Sequence, residues 1–360
     1  MPLAPLAGHH EARRRLAAAF AAGRLPQVMV LTGPTGVGKQ RMALWLAQLL
    51  FCERPQAEPC GKCLGCRQTL ELRHPDLHWL IPIPRPKAGD PDRQVEEAAE
   101  AIGELLEERR VQPLWPRPDG MASHSVASVR VLQRAASLTA VQGGRRVFII
   151  GDAERLVPQE SSPEAANALL KLLEEPPAGS TFVLTTVDAR HLLPTMRSRA
   201  APLRLQRLAD ADVQEFLERY AGVPAREIPQ RVRLAAGAIG GAIGEDDAAG
   251  SARRAAEAFL EAALQGRGPR MQAALAQAPF AARGEFTALL DAVAETLTDA
   301  ARGALGAASR RAVPAALRGR DPEALVKSVA RVEAAREAAH GNVNPQLLLA
   351  VLGDELAETL

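Results

Sequence analysis

The sequence has 360 residues, enough for two or three domains with a sizeable core. Its 44 basic and 42 acidic residues are interspersed and leave a net charge of +2, so bulk charge argues neither for nor against a nucleic-acid partner. Aromatic residues are few (one Tyr, three Trp, eight Phe), which speaks against a single-strand stacking platform, and no run of about 18 apolar residues offers a membrane span.

The N-terminal stretch MPLAPLAGHHEARRR has no apolar core of the kind a secretory leader needs, so the chain is expected to be soluble and cytoplasmic. Alanine, leucine and arginine dominate, as in a mostly helical protein. In chain order, residues 9–22 carry helical periodicity, 28–31 form a short buried-type strand, and 41–51 a second helix. A cysteine-bearing segment follows, then a strand over 77–83 bounded by Pro82 and Pro84. Residues 84–120 change composition: proline and charge flank one amphipathic stretch, 95–109, which reads as a surface insertion. Residues 126–138 are predicted helical, 147–150 and 182–186 as strands, and 202–205 as a last short strand. Between the two middle strands, Ser162 as cap, Pro163 at the first helical position and Pro176-Pro177 as terminator bracket a helix over 162–175. Strands alternating with helices predict a mainly parallel α/β sheet covered on both faces. After Leu208 only helical patterns remain: a small unit over 209–220 and 230–238, closed by glycines, and a block over 252–265, 269–278, 286–301, 322–340 and 345–358.

Two stretches carry chemistry. LTGPTGVGKQ (31–40) lies between a strand and a helix, and Gly33, Gly36, Gly38 and Lys39 fit the G-x-x-x-x-G-K frame of a phosphate-binding loop. Glycine lets backbone N–H groups point at an anion beside a helix N-terminus, and Lys39 adds a point charge for the outer phosphates. The frame then breaks: Gln40 stands where a Ser or Thr hydroxyl would hold Mg²⁺. Such a loop is equipped to hold ATP or ADP passively rather than to hydrolyse it; the competing reading is a glycine-rich turn kept for packing. Cys52, Cys60, Cys63 and Cys66 are the whole cysteine complement and give C-x7-C-x2-C-x2-C. Four thiolates so spaced can close a tetrahedron with no open position, and Gly61 and Gly65 are read as allowing tight turns between them, which points to structural zinc. An iron–sulfur cluster or unmetallated thiols are the alternatives. His74, His78, His124 and His191 show no ligand spacing with the cysteines and are read as loop or surface residues.

Together with GGRRVFIIGDAERL (143–156), ANALLKLLEEPP (166–177), FVLTTVDARHLLPTMRSR (182–199) and NVNPQLLLAVL (342–352), these stretches resemble the bacterial clamp-loader AAA+ subunits. The resemblance covers residues 5–80, 126–245 and the final helix. It implies an AAA+ core over 1–207 with a zinc module at 52–66 and a divergent insertion at 84–120, a helical lid over 208–250, and a helical collar over 251–360. It also implies a place in a hetero-pentamer with motor (gamma/tau) and delta subunits, which loads the sliding clamp on primed DNA within a DNA-directed DNA polymerase holoenzyme, away from any membrane.

The resemblance distinguishes a motor from a non-motor, or stator, subunit. A motor carries adjacent acids after its third strand; here Gly151 and Asp152 take those places, or Asp152 and Ala153 one residue along, with Glu154 nearby. A motor also carries a lid arginine where this chain has Gly240, or Gly241 in the alternative register. Thr185 or Thr186 falls at the polar sensor position. Ser198-Arg199, followed by Ala200, matches the family's Ser-Arg-Cys signature, which implies that Arg199 serves as an arginine finger for a neighbour's ATP, while Arg197 is read as a packing or ion-pair residue. The expected function is therefore a stator subunit without ATPase activity of its own. An ATP-hydrolysing motor and a zinc-containing DNA-binding protein are the alternatives.

Overall fold

The strand runs foreseen at 28–31, 147–150 and 182–186 become the middle of one parallel sheet. The computed structural model describes residues 3–112, 122–157, 163–240, 247–278, 285–307, 313–339 and 343–360, so Ser162 and Gly241 lie outside the described residues. Its first unit, Met1–Pro118 with Ala122–Ile243, and its second, Gly244–Leu360, are each compact.

The first unit runs α1 (His10–Ala21), β1 (Val28–Thr32), α2 (Lys39–Phe51), α3 (Leu64–Leu70), β2 (Leu77–Leu80), α4 (Pro91–Val111), α5 (Val126–Ser137), β3 (Arg146–Ile150), α6 (Glu164–Glu174), β4 (Ser180–Thr186), α7 (Pro194–Arg197), β5 (Ala201–Arg204), α8 (Asp210–Tyr220) and α9 (Ile228–Ala235). The strands lie in the order β2-β3-β4-β1-β5 and all pair in parallel. Because side chains alternate along a strand, each splits its apolar residues between two cores. Val28, Val30, Phe148, Ile150, Phe182 and Leu184 face α4, α5 and α6, while Met29, Leu31, Val147, Ile149 and Val183 face α1 and α2. Burial on both sides explains why these strands read as unbroken apolar runs. β2 is shorter than its pattern and ends at Leu80; Pro82, with no N–H to give, cannot continue the ladder.

The surface reading of the amphipathic segment in 84–120 is corrected by the structure, residues 113–120 lying outside the described residues. The amphipathic segment is a 21-residue helix, capped by Asp90 accepting from the amides of Asp92 and Arg93, with Pro91 in its first turn. It is not a surface appendage: Val95, Ala98 and Ile102 are buried in the core beside α5. Leu208, Val213, Leu217, Ile228 and Val232 form a separate small core between α8 and α9. The second unit contains α10 (Asp247–Gln265), α11 (Arg267–Ala276), α12 (Glu285–Ala304), α13 (Pro322–Ala339) and α14 (Pro345–Thr359), packed around residues such as Phe259, Leu290, Val293, Val332 and Leu352.

Candidate functional site

The glycine loop connects β1 to α2 at the C-terminal edge of the sheet, where ligands of open parallel sheets bind. Gly36 and Gly38 have φ of 75° and 98°, left-handed values that glycine adopts without cost. Lys39 is buried and turned back along the loop, its Nζ donating to the carbonyls of Gly33 at 2.9 Å and Pro34 at 3.0 Å. The amide of Gly240 donates to Gly36 O at 3.1 Å, and a Cβ at 240 would lie 2.8 Å from Gly36 Cα. In this geometry no side chain, arginine included, fits at 240. On the other side, the His9 ring contacts Val37 O through Nε2 at 2.8 Å, and burial lowers its pKa, so the neutral ring is the donor.

Gln40 faces Gly151, since a Cβ at 151 would lie 3.1 Å from Gln40 Nε2 and 3.2 Å from Trp79 Nε1. Of the residues after β3, Gly151 is thus the one that lies against position 40. Asp152 sits in the left-handed region at φ 48°, its amide donating to Thr185 Oγ1, and Thr186 Oγ1 donates to Asp188 O. Arg109, from the last turn of α4, closes the cluster: it is 5 % exposed, its guanidinium lies 4.3 Å from the Trp79 ring centroid, and Nη1 is 3.4 Å from Gln40 Oε1. His124 is 2 % exposed, with Nε2 2.7 Å from Gly151 O, and burial brings its pKa down to about 4. His74 is also buried, stacked on Phe51 at 3.7 Å, and His78 stacks on Phe148. Of the four, His74 and His124 lie in loops but are buried, His191 is exposed, and His78 lies within β2, so the reading of loop or surface residues fails for His78 and misses the burial of His74 and His124. Apolar neighbours that close over a ring come from distant parts of the chain, and a single His in a sequence carries no mark of them.

Glu154 lies beside Asp152 with Oε2 shut off from solvent, and burial first, then the Asp152 charge, pushes its carboxyl up to about 7. A carboxyl with a raised folded-state pKa supports folding fully below its ordinary 4.5 and loses that support as pH rises through about 7. Glu154→Gln is thus expected to stabilise the chain by about 1–3 kcal/mol at alkaline pH and to lose that gain toward pH 4.5, read from urea unfolding across the range. A gain that did not depend on pH would refute the assignment.

Arg199 follows α7 and precedes β5. Met196 and Ala200 are buried on either side of it, which fixes the turn, while the arginine side chain itself is 35 % exposed. Its Nη1 donates to Thr195 O at 2.7 Å and its Nη2 pairs with Glu174 Oε1, at the end of α6, at 2.7 Å. Arg197 is exposed and has no ion-pair partner among the described residues, contrary to the reading of it as a packing or ion-pair side chain.

The four cysteine sulfurs lie within 4.8 Å of one another, with Cys60 Sγ to Cys66 Sγ at 3.9 Å. Zn–S bonds of about 2.3 Å in a tetrahedron require S···S separations of about 3.8 Å, so the set fits a metal ion with slight contraction. Cys52 follows α2, Cys63 caps α3 and Cys66 lies inside it, so the set joins two helix ends. Amides turn inward as well: Cys60 N donates to Cys52 Sγ, Cys63 N to Cys60 Sγ and Cys66 N to Cys63 Sγ, at 3.3–3.5 Å. The amides of Lys62 and Cys63 bring the Cys60 thiol down to about 6, whereas burial raises Cys52 and Cys66. Gly61 does make a left-handed turn, at φ 69°, but Gly65 is needed for another reason: a Cβ there would lie 2.2 Å from Phe51 O. Gly65→Ala is expected to cost about 1–3 kcal/mol by forcing α3 off the end of α2, read as a lower melting temperature together with lost metal content.

A five-stranded parallel sheet in this order, a glycine loop after β1 and a small helical unit against that loop define a P-loop core of the AAA+ type. The chain belongs to the family described as DNA polymerase III, delta subunit, whose model matches residues 8–209. DNA polymerase III subunit delta' of Escherichia coli (strain K12) is 30% identical over 233 residues, covering 64% of this chain and 57% of that protein. The delta' subunit of Bacillus subtilis (strain 168) is 28% identical over 220 residues, covering 59% and 54%. DNA polymerase III subunit gamma/tau of Mycobacterium bovis is 30% identical over 205 residues, covering 56% of this chain and 28% of that protein. The matches thus span little more than half the length of the delta' relatives. No helix among the described residues is long and apolar enough to cross a membrane.

Proposed function

We propose that the chain is the stator subunit of a DNA polymerase III clamp loader, a non-motor member that offers Arg199 to the ATP site of a neighbouring motor subunit. The observation that carries this reading is the pairing of Gln40 with Gly151 beside the glycine loop, which leaves neither a hydroxyl nor a carboxylate where a motor subunit holds its metal. Gly33, Gly36, Gly38 and Lys39 keep at most a passive role toward ATP or ADP, because Lys39 is engaged by the loop's own carbonyls. The partners are motor (gamma/tau) and delta subunits in a hetero-pentamer, and through it the sliding clamp and primed DNA; the compartment is the cytoplasm. Cys52, Cys60, Cys63 and Cys66 hold one structural zinc, with no coordination position left for catalysis. The test is phosphate release from ATP by the purified chain, alone and then mixed with motor and delta subunits. Silence alone and stimulation in the mixture are expected; brisk Mg²⁺-dependent turnover by the pure chain would overturn the proposal in favour of a motor.

A further inference from the structure

Beside the glycine loop of a working P-loop enzyme, a magnesium ion takes a near-octahedral set of oxygen ligands at about 2.1 Å. The residues here do not fit that ion. Position 40 offers a carboxamide already 3.4 Å from Arg109 Nη1, and position 151 has no side chain. A carboxylate at 151 would also be crowded, its first atom lying 3.1 Å from Gln40 Nε2 and 3.2 Å from Trp79 Nε1, so that Gln40 would have to give way. Filling the same corner is a cation that belongs to the chain itself. Arg109 is 5 % exposed, lies flat enough on Trp79 for its Cζ to be 4.3 Å from the ring centroid, and arrives from 69 residues away in sequence. Its neighbour Arg110 donates through Nη2 to Leu72 O at 2.6 Å, so the last turn of α4 is fixed at two points. Burial lowers the Arg109 guanidinium to about 10, opposed by the charges of Asp152 and Glu108, and it stays charged at neutral pH.

We propose that Arg109 is a fixed internal cation that stands in for the metal ion beside the glycine loop and ties the α4 insertion to it. A charge held by the fold needs no ligand to arrive, so the loop, Gln40 and the turn at Gly151 keep one arrangement whether or not nucleotide or metal is present. The arrangement costs the desolvation of a guanidinium, offset by the indole face and by Asp152. It also gives the insertion a purpose that its exposed acidic face does not reveal. The role given to Arg199 has no bearing on this inference.

Two measurements on the full chain test it. In the first, the native chain is titrated with ADP with Mg²⁺ present or omitted (omitted rather than chelated, so that the cysteine site is undisturbed). Equal melting temperatures and equal titrations in the two series are expected, and tighter ADP binding with Mg²⁺ would overturn the proposal. In the second, amide hydrogen exchange is followed over residues 33–40. Arg109→Met keeps the bulk and removes the charge, and is expected to speed exchange there by about tenfold or more; Arg109→Lys, which keeps the charge, is expected to stay within a fewfold of native. Native-like protection in Arg109→Met would mean that the side chain only fills space, and would overturn the proposal. Should Arg109→Met fail to fold, the lysine variant decides: protection near native supports the internal cation, and its loss refutes it.

Discussion

Arg199→Ala is expected to leave the purified chain as silent toward ATP as before, and to lower ATP turnover of the assembled clamp loader at the one site that Arg199 reaches. The magnitude follows from the chemistry. A guanidinium supplied in trans neutralises charge on the transferring phosphoryl group, and such fingers are worth roughly 10³–10⁵ in rate. In the proposed hetero-pentamer Arg199 reaches one site only, so the bulk rate is expected to fall less than the single-site rate, and single-turnover measurement on the affected site is the readout. Arg199→Lys keeps a charge but loses the fork that matches two phosphate oxygens, so it should recover only a small part. The neighbouring Glu174 provides a second arm. Its pair with Arg199 at 2.7 Å holds the guanidinium against the chain's own α6, and both side chains are substantially exposed, 35 % and 43 %. An exposed pair of this sort contributes at most about 1 kcal/mol, so Glu174→Gln should change turnover by less than about tenfold in either direction. Because Met196 and Ala200 carry the packing on either side, neither substitution should unfold the chain. Unchanged turnover with Arg199→Ala in the full assembly would remove the finger assignment.

Where local pattern sufficed, the sequence was a sound guide. The runs Val147–Ile150 and Phe182–Thr186 lie within β3 and β4 because burial on both faces demands unbroken apolar residues. The helix bracketed by Pro163 and Pro176 was legible because proline punctuates helices at their ends; it runs from Glu164 to Glu174, one residue later than expected, with Pro163 at the cap position assigned to Ser162 and not at the first helical one. The cysteine set was legible because its members are close in sequence and glycine separates them, although the reason for Gly65, the approach of Phe51 O, was not. What failed was long-range. Residues 84–120 looked like a surface insertion because proline and charge surround them, yet Val95, Ala98 and Ile102 form a helical stripe at spacings of three and four that the core accepts. Weighting that stripe over the flanks would have placed the amphipathic stretch in the core rather than on the surface. Arg109 offered no comparable signal, since arginine is seldom buried and nothing near it in sequence points to Gln40, 69 residues earlier. His124 is the same case: only the fold brings it under the Gly151 carbonyl. Gln40 and Gly151 each read as a loss in the sequence, and the structure brings them together, because the side chains at 40 and 79 crowd position 151.

Stripping the metal from the cysteine site is expected to lower the stability of the chain by about 3–5 kcal/mol, a fraction of the roughly 10–16 kcal/mol that structural zinc supplies to peptides with no fold of their own. The fraction is small because much of the module is secured without metal. Thr69 Oγ1 donates to Gly65 O at 2.7 Å within α3, and Glu58 ties the loop between Cys52 and Cys60 to α1 and α2 through Arg13 at 2.7 Å and Trp45 Nε1 at 2.8 Å. It is not negligible, because four sulfurs within 4.8 Å repel one another once ionised, and without a cation they must take up protons or move apart. At about 2–4 °C per kcal/mol for a domain of this size, the melting temperature should fall by about 10 °C. Single substitutions should rank by burial: Cys66→Ser places a hydroxyl in a fully buried position inside α3 and should cost more than Cys60→Ser at the exposed rim. Native mass spectrometry with and without chelator counts the ions, and the visible spectrum separates colourless zinc from a brown iron–sulfur cluster. An unchanged mass in chelator, with an unchanged melting temperature, would leave the four thiols as a cluster without metal. Loss of the ion should leave the Arg109 cluster in place, since Gln40 lies in the first turn of α2 and Trp79 in the core on β2, and neither belongs to the loop between the cysteines. A chelated chain that kept its protection at residues 33–40 while losing it at 52–66 would place the two sites in separate cooperative units.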